Sequence, residues 1–131
     1  MSLTRSLGLI LLTIEALAGV GVAEGHHSYA ATYLLDRTVS IQGEIAVFMY
    51  RNPHSILQVV VRADDGTSHR WACEWAGTLK LDAYGVNSFT LKPGDKVIIT
   101  GVPGRNQQDH RLLIKSIRRP TDGWTWSGDS Q

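Results

Sequence analysis

Cysteine is almost missing from this chain: Cys73 is the only one in 131 residues. No intramolecular disulfide can form, even in an oxidising compartment, so the fold must rest on its hydrophobic core. Cys73 itself lies in the apolar run Trp71-Ala72-Cys73 and reads as a small buried hydrophobe rather than a reactive thiol. Charge of one sign is also missing, with 13 Lys and Arg against 12 Asp and Glu and a formal net charge of +1. So even a balance leaves no electrostatic footprint for a nucleic-acid backbone. There is no GxSxG elbow, glycine-rich phosphate loop, zinc-finger spacing or HExxH, and no carboxylate pair set up for acid and base roles. An enzyme therefore finds no support in the sequence.

Long apolar runs are scarce too. The one of note, Leu7 to Ile14 (LGLILLTI), follows a short basic start ending at Arg5 and is too short to cross a bilayer. Its length suits the core of a signal peptide. Glu15 and the following glycines interrupt any longer stretch, and small residues at the spacing of a cleavage site occur at Ala16-Leu17-Ala18, Gly21-Val22-Ala23 and Ala23-Glu24-Gly25. The expectation is a signal peptide over 1–25 that is removed, a protein left periplasmic or secreted, and no stable membrane anchor. Residues 26–37 then form an N-terminal arm.

What the remainder has in abundance is alternation with period two. Val39, Ile41, Gly43, Ile45, Val47 and Met49 share one side of a long strand, opposite Ser40, Gln42 and Glu44, with Gly43 placed for a bend. Arg51-Asn52-Pro53-His54 interrupts it, and Ile56 to Ala63 resumes as a valine-rich strand. Asp64-Asp65-Gly66-Thr67 makes a hairpin turn into Ser68 to Trp75, where His69, Trp71, Cys73 and Trp75 alternate with Arg70, Ala72 and Glu74. Thr78 to Val86 breaks the rhythm and predicts a short helix capped by Thr78 and stopped near Gly85. Lys92-Pro93-Gly94-Asp95 turns into Lys96 to Val102, and a polar loop leads to a last strand, Leu112 to Arg118. Three strands, a helix and two strands, the first strand long and bent, predict a mainly β fold: a small five-stranded OB-like barrel over 38–119 with one short helix between strands 3 and 4. Residues 120–131 are expected to be a loosely packed tail.

Chemistry falls to the histidines. His26 and His27 are consecutive near the expected mature N-terminus, and cleavage after Gly25 would give His26 a free α-amine beside its imidazole, a chelate that suits Cu(II). His54, held in the turn after the first strand, could add a third nitrogen, and Glu74 a carboxylate. The bland alternative is a polar N-terminus and a turn histidine bonded to backbone. Tyr29, Trp71 and Trp75 are candidate contacts for a ligand on the barrel, although both tryptophans also suit core packing. His69 and His110 follow turns and read as solvated.

His26-His27-Ser28-Tyr29, Val39-Ser40-Ile41-Gln42-Gly43, Asn52-Pro53-His54, Trp71-Ala72-Cys73-Glu74 and Leu91-Lys92-Pro93-Gly94-Asp95 with Gly101 together resemble the exported bacterial proteins grouped as domain of unknown function 6152. The resemblance runs from His26 to about Ile117 and implies export and a small β fold, without an activity. Two functional expectations follow from the residues. One is an exported protein binding a transition metal, copper favoured, through His26, His27, His54 and Glu74. The other is a non-enzymatic OB-type module that binds a partner protein, a glycan or a small ligand.

Overall fold

The computed structural model describes residues 29–128. The expected signal peptide, His26, His27 and residues 129–131 lie outside the described residues. Among the described residues six strands form one sheet: β1 (Val39–Met49), β2 (Ile56–Arg62), β3 (Ser68–Glu74), β4 (Lys96–Pro103), β5 (Arg111–Arg119) and β6 (Trp124–Ser127). Their order is β3-β2-β1-β4-β5-β6, and β3 also pairs in parallel with β5 from Ala72 opposite Arg111 to Glu74 opposite Leu113. That extra pairing closes the first five strands into a barrel, and α1 (Thr78–Ala83) sits between β3 and β4. The predicted mainly β, OB-like barrel is therefore the fold of the chain.

β1 serves two partners, which is why it is long. Its first half, Val39 to Glu44, pairs with β4, and its second half, Glu44 to Met49, pairs with β2. The strand bends where the partners change, with a bulge between Ile45 and Val47. Gly43 is required there by close approach: a Cβ would run into the Val60 carbonyl oxygen and lie 2.8 Å from Val59 Cγ1, so β2 could not cross at this depth over any larger residue.

Inward-facing residues build the main core. Leu57, Cys73, Trp75, Ile99 and Leu112 are all 0% exposed, and alternation along each strand puts them on the same side. Helix α1 adds Leu81 to this cluster.

Two expectations need correction. Thr78 does not cap α1 with its own side chain, and the N-cap residue is Gly77. The cap comes from the neighbouring β1–β2 loop, where Asn52 Oδ1 accepts from the Thr78 amide at 2.9 Å and Asn52 Nδ2 donates to Thr78 Oγ1 at 2.9 Å. The expected loose tail instead contains β6, paired antiparallel to β5, and Trp126 is only 5% exposed with its ring edge-on to Trp75 and Tyr84. An indole offers more apolar area than the polar residues around it suggest, so burial against two other aromatic rings outweighs the local sequence. His69 is exposed, as expected, and its ring stacks on that of the half-buried His110 at 4.4 Å and 12°.

Candidate functional site

The outer face of β3 carries Glu74, and three elements converge on it. The first is the β1–β2 loop with His54. Asn52 ties this loop to α1, while Ser55, 0% exposed, exchanges hydrogen bonds with the backbone of Arg51. The Ser55 amide donates to the Ala76 carbonyl and the Trp75 amide to the Ser55 carbonyl. Gly77 permits this contact, since a Cβ on it would lie 2.6 Å from the Pro53 carbonyl oxygen. His54 is thus fixed by neighbours on both sides. Its Nδ1 stands 3.5 Å from Glu74 Oε1.

The second element is the arm. Residues 29–32 are helical, and the Tyr33 amide donates to the Tyr29 carbonyl. Spacing of four on a helical turn points both phenols the same way, towards the barrel wall. Tyr33 is 2% exposed and packs on Val102 and Leu113, forming a small second core outside the barrel with Tyr29 against it. Its hydroxyl donates to Glu74 Oε2 at 2.5 Å. The Tyr29 hydroxyl and His54 Nδ1 share a hydrogen bond of 3.2 Å whose direction follows the imidazole tautomer, and the two rings meet edge to face.

Arg111, at the start of β5, is the third. With Tyr33, Glu74 and Arg51 it borders a cavity of about 220 Å³.

Electrostatics follow from this packing. Burial pushes the Tyr33 phenol well above its ordinary value of 10.0, and the hydrogen bond to Glu74 and that carboxylate's charge push the same way, against Arg111. Tyr29 rises for the same two reasons, burial first and then Glu74. Both phenols therefore keep their protons at physiological pH. Chemically the cluster offers one imidazole, one carboxylate and two hydroxyls around a single point.

Of the residues singled out in the sequence, Tyr29, His54 and Glu74 come together, while His26 and His27 lie outside the described residues. Among the described residues no group of three or more His, Cys, Asp or Glu side chains could hold a metal. Trp75 is 0% exposed between Phe48 and Trp126, so its ring faces the core and not a ligand. Trp71 is half-buried and stands edge-on to His110 at 5.3 Å. Sequence reasoning missed Tyr33 and Arg111. The i, i+4 spacing of Tyr29 and Tyr33 was the one available signal for the former, whereas Arg111 reaches the site only through the parallel β3–β5 pairing.

The model of a family of unknown function (DUF6152) matches residues 15–113, and the chain belongs to that family. No match was found among curated proteins.

Proposed function

We propose that the protein is exported and binds a divalent transition metal, Cu(II) in preference to Zn(II), using His54 and Glu74 from the barrel and His26 and His27 from the arm. The observation that carries this reading is the meeting of Tyr29 with His54 beside Glu74. His27 is two residues before Tyr29, and two residues span at most about 7 Å, so the paired histidines are tethered within reach of the barrel pair. Two ligands across a tetrahedral metal with bonds of about 2.0–2.1 Å sit roughly 3.4 Å apart. The 3.5 Å between Nδ1 and Oε1 is close to that span. A nitrogen-rich set ranks copper above zinc. Export rests on the basic start and the short apolar run before Glu15.

The test is a Cu(II) titration of the processed protein, with its N-terminus fixed by intact mass, followed by visible absorption and electron paramagnetic resonance. The expected result is one tight site whose spectrum changes in His27→Ala, His54→Ala and Glu74→Gln. Imidazoles donate a lone pair only when neutral, so affinity should fall as the solution is acidified. Identical spectra in all three variants would reject the site.

A further inference from the structure

A second cavity, of about 440 Å³, opens where β1 begins and β4 ends. Its floor is apolar and aromatic, with Trp71 beside Val39 and Pro103, and His110 forms one wall. His110 is held firmly: it adopts φ 46, its Nδ1 donates to the Gln108 carbonyl at 2.9 Å, and its ring lies between the stacked His69 and the edge-on Trp71. Arg37 and Arg111 line the same cavity, and no Asp or Glu does so among the described residues. Among the described residues neither guanidinium makes an ion pair, whereas Arg119 is tied to both Asp95 and Asp122. Arg37, and Arg111 shared with the cavity beside Glu74, stand next to a propped indole and describe a ligand by its chemistry. The larger hollow over Gly43 holds Glu44 with Lys96 and Arg62 and no aromatic ring, so it specifies nothing comparable.

We propose that this cavity binds a small aromatic carboxylate, its ring on Trp71 and Pro103 and its carboxylate on Arg37 and Arg111. The volume falls in the range of small-molecule sites, about 300–1,000 Å³. Guanidinium forks match a carboxylate in geometry and charge, and an indole face half-open to solvent gains from covering by a flat ring. The site shares neither His54 nor Glu74, and Arg111 is the one lining residue it has in common with the cavity beside Glu74.

The experiment is an NMR titration of the full processed protein with 2-naphthoate, reading the Trp71 indole N–H as assigned with Trp71→Phe, in the presence of a chelator. The expected result is a saturable shift centred on Trp71 and His110. Removing the ligand's charge (2-naphthamide) or its ring (cyclohexanecarboxylate) should weaken binding about tenfold or more, as should Arg37→Gln or Arg111→Gln. Arg37 is exposed, so Arg37→Gln should fold like the parent, and His54→Ala should bind as the parent does. Absence of a saturable shift, equal binding of the amide, indifference to both arginine variants, or loss of binding in His54→Ala would each overturn the proposal.

Discussion

The two faces of β3 are built from the same seven residues and are put to different uses. Cys73 points inward, as does Trp75 just beyond the strand, and both are completely buried among aliphatic and aromatic side chains. Glu74 points outward and is covered by what the arm and the β1–β2 loop lay over it, with Arg111 beside it. The inner face is sealed by the barrel closing on itself, so its contents have no choice but to be apolar and well packed. The outer face is sealed by Tyr33, with Val102 and Leu113 as its small second core, and a polar cluster survives there because each member has a partner. Stability should therefore lie mostly inside and chemistry mostly outside.

Mutations at the two faces test that division directly. The largest effect should come from Trp75→Ala, which empties an indole volume from the closed barrel and should cost roughly 3–5 kcal/mol. Urea unfolding monitored by circular dichroism measures it. A loss no bigger than that of a surface substitution would mean the barrel interior is not the main core. Tyr33→Phe should come next. It keeps the ring against Leu113 but removes the hydroxyl that donates to Glu74, and leaving a half-buried carboxylate short of a donor should cost about 1–3 kcal/mol. If Tyr33→Phe costs as much as Trp75→Ala, the arm belongs to the core and the two faces are not distinct.

That division also accounts for what the sequence disclosed. Inner-face positions were legible because alternation is a direct consequence of the pleat: Leu57, Val59, Cys73 and Trp75 fall on one side wherever the strand register runs true. The helix after Trp75 and its stop at Gly85, which has φ +74, were legible from the break in that rhythm. What stayed hidden depends on contacts between segments distant in the chain. Asn52 caps α1 from 26 residues away, Tyr33 reaches Glu74 across 41 residues, and Trp126 enters the core through a strand that its polar neighbours did not announce. His54 and Glu74 were selected by residue type, and nothing in their spacing stated that they would face one another.

A smaller effect separates the faces by pH. Tyr33 keeps its proton more tightly when folded than when unfolded, because burial and Glu74 both oppose the phenolate. Above the ordinary phenol value of 10.0 the unfolded chain therefore binds fewer protons than the folded one, and stability falls as pH rises. Below that value the contribution is fully present. Tyr29 and Tyr50 shift in the same direction, so Tyr33→Phe should shallow the alkaline decline without abolishing it. Midpoints of urea unfolding between neutral pH and strongly alkaline pH give the slope, and an identical slope in parent and variant would remove Tyr33 from the account.

The smallest expected effect in the native state is none at all, and Cys73 reads it out. Its thiol sits on the inner face at 0% exposure and burial pushes it up to about 12, so the nucleophilic thiolate is absent at neutral pH. An alkylating reagent should leave the folded protein untouched and react fully in urea. Any slow reaction without denaturant must pass through opening of the barrel, and when opening and closing are fast its rate follows the open fraction. The variants then rank themselves: Trp75→Ala should speed alkylation most, Tyr33→Phe less, and His54→Ala, which alters only the outer cluster, hardly at all. Fast alkylation of the parent would show the inner face to be open. A rate in His54→Ala matching that of Trp75→Ala would show that the outer cluster holds the barrel shut, and the separation of stability from chemistry across β3 would fail.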